Sequence, residues 1–167
     1  MPVEYDYIIV GAGSAGCVLA NRLTEDGASR VLLLEAGGSD SDWMIRMPLG
    51  FMMTSGNPAY DWGYQSEPDR KLMGRTMPVP RGRLLGGSSS VNGMIYMRGH
   101  SEDYDRWRQM GCEGWSYDDV LPYFRRMESS WRGAGPYHGD DGPLTVSPVD
   151  DALLLGDPIR KSVVSAG

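Results

Sequence analysis

The chain has 167 residues, 41% apolar and 23% charged, which is enough for one core of ordinary globular composition. Its formal net charge of −6 argues against a nucleic-acid partner, since a phosphate-binding face needs clustered Lys and Arg, and Arg81 with Arg83 is too short a cluster and reads as solvated loop. Cys17 and Cys112 form neither a disulfide framework nor a metal-ligand spacing, no secretory signal opens the chain, and no run approaches the ~18 apolar residues of a membrane helix, so a soluble, cytoplasmic protein is expected.

Residues 5–35 read as a strand–turn–helix–strand unit. The apolar run Tyr7-Ile8-Ile9-Val10 leads into Gly11-Ala12-Gly13-Ser14-Ala15-Gly16 and a helical pattern of Ala15, Val18, Leu19 and Leu23. A second run, Val31-Leu32-Leu33-Leu34, ends on Glu35. In that context the glycine pattern is a dinucleotide-binding fingerprint. Gly11 permits the tight turn, Gly13 admits a pyrophosphate to the backbone, and Gly16 allows close helix–strand packing. The amides and dipole of the helix start favour an anion. Glu35 lies 19 residues after Gly16, near the spacing of an acceptor for ribose hydroxyls. An ADP-containing ligand follows, and the pattern alone leaves FAD and NAD both open. Cys17, beside Gly16, is expected to be a small buried side chain.

Ala36 to Asp42 is turn chemistry, and residues 43–80 lack clean periodicity because prolines and glycines interrupt them repeatedly. Their methionines suit irregular packing, and so long an irregular stretch suggests a cofactor-covering lid. Residues 81–92 form a second Gly/Ser turn. Ser101 is expected to cap a helix through Tyr104 and Trp107, and Ser116 with Asp119 forms a capping box before Val120, Tyr123, Phe124 and Met127. Pro122 should kink that helix or mark its true start. Residues 129–143 read as loop, 144–147 as a short strand, and Asp157-Pro158 as the cap and first position of a helix carrying Ile159, Val163 and Ala166. No internal repeat is present. The sequence reads as the front part of a longer protein, with residues 106–167 its helices and loop.

The second turn, Gly82-Arg83-Leu84-Leu85-Gly86-Gly87-Ser88-Ser89-Ser90-Val91-Asn92 continuing through Gly93-Met94-Ile95-Tyr96, has its own logic. Gly86 and Gly87 admit a flat or anionic ligand, the serines and Asn92 add short donors and acceptors, and Arg83 offers a charge-assisted hydrogen bond. A plain turn between elements accounts for it equally well.

Residues 82–105, with Asn92, Tyr96, Gly99 and Asp105, resemble the signature of the glucose–methanol–choline (GMC) flavin-dependent oxidoreductases. Residues 5–38 are similar to that family's N-terminal FAD fingerprint. Asp61-Trp62-Gly63-Tyr64 with Glu67-Pro68, Gly114-Trp115 with Leu121-Pro122-Tyr123-Phe124, and His138-Gly139 with Gly142-Pro143 follow in the family's order. The resemblance is closest to bacterial choline-dehydrogenase-like and aliphatic-alcohol-dehydrogenase-like members.

It implies an α/β fold: an incomplete Rossmann-type FAD-binding parallel sheet with long cofactor-covering loops. Ser14 and Ala15 would lie at the FAD pyrophosphate and Glu35 at the adenosine ribose, with Gly11, Gly13, Gly16 and Ala36 also among the cofactor-binding residues. Arg83, Ser88, Asn92, Gly93 and Ile95 would lie along the flavin half, with Gly86, Gly87 and Met94 also among the cofactor-binding residues. Val91 stands where some members carry a histidine linked to the flavin, so FAD should be held non-covalently. The implied reaction is oxidation of a CH–OH group, with hydride passing from an alcohol to flavin N5 and on to an electron acceptor. The family's catalytic histidine belongs to a C-terminal region and a substrate domain outside these residues. No catalytic residue is therefore assigned here, the segment by itself is expected to be inactive, and His100 and His138 read as exposed flanking residues. No metal is expected. Two alternatives stand beside this: an NAD-dependent dehydrogenase and a non-catalytic nucleotide-binding module. Peripheral membrane association and the oligomeric state are left open. Tyr60, Trp62, Tyr64 and Trp131 fit an aromatic cage for a quaternary ammonium group or ordinary core aromatics equally well.

Overall fold

Strand β1 (Tyr7–Val10) and strand β2 (Val31–Leu34) pair in parallel with Tyr7 opposite Val31, and helix α1 (Ser14–Leu23) makes the crossover. Gly11 N donates to Leu34 O at 2.7 Å, extending the ladder into the turn. This computed structural model describes residues 3–148 and 156–165. The chain divides into two compact units, Met1–Ile95 and Tyr96–Gly167.

In the first unit the β1–α1–β2 crossover is the expected one. Strand runs as apolar as β1 and β2 are normally covered on both faces. Here Ile8 is 62% and Val10 84% exposed, and Val18 and Leu19 on α1 are also open, while Ile9 is buried. Cys17 is exposed as well, correcting the expected burial. Its position on the uncovered side of α1 leaves the thiol to donate to Ala12 O at 3.2 Å.

The stretch expected to be irregular is more ordered than its sequence suggests. It holds helix α2 (Trp43–Arg46), a 3₁₀ turn at Pro48–Gly50, helix α3 (Phe51–Thr54), and an antiparallel pair of strands, β3 (Tyr64–Gln65) and β4 (Pro78–Val79). Elements this short carry no readable period, and side-chain acceptors fix them instead. Asp42 caps α2 by accepting from Met44 N at 2.9 Å. Asp61, 6% exposed, accepts from Gly56 N at 2.8 Å, Gly63 N at 2.9 Å and Arg81 N at 3.1 Å. One carboxylate thereby ties the approach to β3 to the start of the second glycine turn.

In the second unit, helix α4 (Ser101–Gln109) and helix α5 (Tyr117–Met127) pack through Tyr104, whose ring meets Trp107, Tyr117 and Phe124. Asp105 joins the two helices by accepting from Tyr117 N at 3.0 Å. The cap of α4 is His100, not Ser101. Its Nδ1 accepts from Glu102 N at 3.3 Å, and Asp103 accepts from His100 N at 3.0 Å. Counting from His100 puts an acidic acceptor at the third helical position, whereas counting from Ser101 puts Tyr104 there.

The capping box of α5 forms as expected, with Ser116 N donating to Asp119 at 3.0 Å. The Ser116 hydroxyl and amide hold the Asp119 carboxyl below its ordinary pKa. Pro122 does not start this helix but sits inside it, where its missing N–H leaves Asp118 O without its helical donor.

The stretch expected to be loop, residues 129–143, overlaps a strand at its start. Strand β5 (Glu128–Ser130) runs parallel to strand β6 (Leu144–Val146), the strand expected near 144–147. Gly139 and Gly142 allow this close packing, since a Cβ on Gly139 would lie 1.9 Å from Arg125 O. Helix α6 spans Gly156–Ser165, starting one residue before the expected cap Asp157, and Ala166 lies outside the described residues.

Candidate functional site

The two glycine turns meet in the first unit, and backbone holds them together. Gly86 N donates to Ala12 O at 2.8 Å, and a Cβ on Gly87 would lie 2.9 Å from Gly13 Cα. Leu84, fully buried, seats the second turn, and Leu85 N donates to Gly38 O at 2.9 Å. Gly37 is equally constrained, because a Cβ there would stand 2.0 Å from Arg83 O.

Within the first turn, Gly11 has φ +97°, which a residue with a side chain rarely adopts. Gly16 is buried, and a Cβ on it would lie 1.9 Å from Gly11 O and 3.3 Å from Ile9 Cγ2, the close helix–strand contact the pattern predicts. A Cβ on Gly13 would only reach ordinary contact, 4.0 Å from Gly87 Cα. Ser14 and Ala15 open α1 and are exposed, and no side chain caps the helix at Gly13. First-turn amides of that kind are suited to a pyrophosphate.

Glu35, half-buried, accepts from Ala12 N at 2.8 Å and from Gly37 N at 2.9 Å. Each carboxylate oxygen thus takes one amide, and a carboxylate has about four acceptor sites, leaving capacity for ribose hydroxyls. Ala36 beside it is exposed.

Arg83 is not the solvated loop residue that composition suggests. Its Nη2 donates to Pro58 O at 2.8 Å and its guanidinium lies 5.5 Å from the centre of the Trp62 ring. Trp62 in turn stacks on Tyr64 with ring planes 2° apart. The Nε of Arg83 is buried with no hydrogen-bond partner among the described residues. An orphaned buried donor of this kind costs about 1–3 kcal/mol, which a ligand acceptor would offset.

Ser88 Oγ accepts from Gly82 N at 3.0 Å, closing the second turn on itself. Asn92 Oδ1 accepts from Met94 N at 2.8 Å and so holds Met94 at φ +57°, a left-handed conformation rare outside glycine. Gly93 lies against the Phe51 ring, and Met94 and Ile95 are 61% and 81% exposed. A cavity of about 350 Å³ opens here, lined in part by Met47, Phe51, Thr54, Ser90, Asn92 and Met94. Its size falls within the roughly 300–1,000 Å³ of small-molecule sites. Its walls combine the stretch expected to cover a cofactor with the second turn.

Sequence reasoning missed Ala12, 1% exposed, together with Gly37, Gly38 and Leu84, because their contacts run through backbone. It also misjudged His138, whose Nδ1 lies 2.9 Å from Glu128. Glu128 is 1% exposed and also takes Arg98 Nη2, while Arg98 Nη1 donates to Tyr137 O at 2.5 Å. His138 therefore belongs to a charged knot, and His100 caps a helix. Among the described residues no group of three His, Cys, Asp or Glu is placed to hold a metal, and no helix is long and apolar enough to cross a membrane.

A parallel β–α–β crossover with an uncapped glycine turn, acidic second-strand terminus and a second interlocked glycine turn defines a dinucleotide-binding α/β protein. The chain matches the family model of the GMC oxidoreductases over residues 5–167, and it belongs to that family. It is 50% identical to an oxygen-dependent choline dehydrogenase of Photobacterium profundum, covering 100% of this chain and 29% of that protein. Among solved structures it resembles pyridoxine 4-oxidase from Mesorbium loti, with TM-score 0.85 and 40% identity over 98% of this chain and 32% of that one. It also resembles the Aspergillus oryzae formate oxidase R554A variant, studied for FAD modification, with TM-score 0.76 and 31% identity over 92% of this chain and 29% of that one. The chain thus spans about three tenths of the length of these relatives.

Proposed function

We propose that this chain builds the FAD-binding part of an enzyme that oxidises the hydroxyl-bearing carbon of a small alcohol, choline-like or primary aliphatic. The observation that carries this is the interlocking of the two glycine turns through Ala12 O and Gly86 N, beside an uncapped α1 N-terminus. Gly13, Ser14 and Ala15 hold the pyrophosphate with their amides, and Glu35 accepts from the ribose. The segment from Arg83 to Ile95 lines the flavin half, with residues 36–80 covering it. Bound flavin supplies a hydride acceptor for the alcohol carbon. Neither His100, which caps α4, nor His138, which lies against Glu128, is assigned as the base for the hydroxyl proton. An electron acceptor then regenerates the flavin. A cytoplasmic setting fits two exposed, unbridged cysteines.

FAD is held non-covalently in this proposal, because Val91 has no atom that can bond the flavin. Acid precipitation of the holoprotein from the complete reading frame should leave all yellow colour in the supernatant. Flavin retained in the pellet would contradict this and require a different linking residue.

A further inference from the structure

We infer that Glu35 is a positioning residue for the flavin end of the site, acting across the fold from the adenosine end; this rests on the FAD assignment above. Its two carboxylate oxygens start two separate struts that converge on consecutive residues of the second glycine turn. In the first, Oε2 accepts from Ala12 N at 2.8 Å, and Ala12 O accepts from Gly86 N at 2.8 Å. In the second, Oε1 accepts from Gly37 N at 2.9 Å, and the next carbonyl, Gly38 O, accepts from Leu85 N at 2.9 Å.

The geometry between the struts is tight. Ala12 is 1% and Leu84 0% exposed, Gly38 bridges Leu84, and no side chain fits at Gly37 against Arg83 O. Hydrogen bonds to a carboxylate are roughly twice as strong as neutral ones, so Glu35 outranks the backbone bonds it supports. The turn it grips leads directly into Ser88, Asn92 and Gly93. Disturbing Glu35 therefore moves the surface offered to the isoalloxazine ring, in addition to weakening the ribose contact.

Two substitutions separate this role from simple ribose binding. Glu35→Gln keeps the side chain's length but presents an NH₂ group to one of the two amides, breaking one strut. Glu35→Asp keeps the charge but is one methylene too short to span both. In the protein from the complete reading frame, hydrogen exchange should accelerate about tenfold or more in either variant at the amide that ends the broken strut, Gly86 for the Ala12 strut or Leu85 for the Gly37 strut. At saturating FAD, the visible circular dichroism of the bound flavin should also change. Unchanged exchange at both amides, together with an unaltered flavin spectrum at saturation, would overturn the inference even if FAD affinity fell, because that pattern is ribose binding alone. Should Glu35→Gln fail to fold, Glu35→Asp decides the matter by the same two readouts. Absence of bound flavin in the wild type would refute the FAD assignment instead, and exchange at Leu85 and Gly86 would still judge the struts.

Discussion

Replacing Gly16 with alanine is expected to abolish cofactor retention and lower the stability of the unit, whereas Gly13→Ala should spare the fold and lose the cofactor. The two glycines lie in one turn, but their surroundings differ. A Cβ on Gly16 would be placed 1.9 Å from Gly11 O, so the turn or the helix must move by more than 1 Å. Overpacking of this kind costs about 1–3 kcal/mol, and the displaced turn carries Gly11, whose φ of +97° few residues can follow. At Gly13 the added methyl meets nothing nearer than Gly87 Cα at 4.0 Å, so the free protein should melt as the wild type does. In the proposed site the methyl would instead occupy the approach of the pyrophosphate. A loss of about 3 kcal/mol, roughly a hundredfold in FAD affinity, is expected for Gly13→Ala. Thermal melts without FAD, paired with FAD titrations, check both. Equal melting for wild type and Gly16→Ala would contradict the packing argument, and unaltered FAD affinity in Gly13→Ala would contradict the pyrophosphate placement.

Asp61→Ala should be the most destabilising single change outside the glycine turns. It strands the amides of Gly56, Gly63 and Arg81 together, and each orphaned amide costs about 1–3 kcal/mol when kept from water. With some rehydration a total near 2–4 kcal/mol is expected. The pH dependence has a definite sign. Burial is the largest single influence on Asp61 and pushes its pKa up, but the three amides and the charge of Arg81 together pull it below the ordinary value. A carboxyl depressed in the folded state adds stability above its unfolded pKa, about 3.9, and loses that contribution as the pH falls through the folded value. The gap in stability between wild type and Asp61→Asn, measured by denaturant titration, should therefore be largest near neutrality and shrink below about pH 4. A gap that widens on acidification would contradict the ionised, amide-bound carboxylate.

The β1–α1–β2 crossover was legible in the sequence because it is local: two apolar runs, three glycines and one acidic residue fall in fixed order along 31 residues, from Tyr5 to Glu35. The capping box at Ser116 and Asp119 was legible for the same reason. His100 was not, because a ring nitrogen can cap a helix as a hydroxyl does, yet histidine carries no strong bias for that position. Cys17 read as buried from its place beside Gly16, and Val18 fell within the helical pattern, but neither neighbour nor period states whether anything covers that side of the helix. Strand β5 and the buried Glu128 escaped notice because Glu128-Ser129-Ser130 carries no β-branched or aromatic residue, whereas Leu144-Thr145-Val146 in β6 does. At the site, the resemblance supplied the positions from Arg83 to Ile95, whereas the lock between the turns depends on Ala12, Gly37 and Gly38. Those residues act through backbone groups, which leave almost no trace in side-chain chemistry.

The central claim, that these residues hold FAD for alcohol oxidation, is tested most directly by anaerobic reduction of the purified protein from the complete reading frame. The protein should emerge yellow, with flavin absorbance in the visible range. Addition of choline or a primary aliphatic alcohol should bleach that absorbance with release of the corresponding aldehyde. A colourless protein, or bound flavin that neither class of alcohol reduces, would contradict the account.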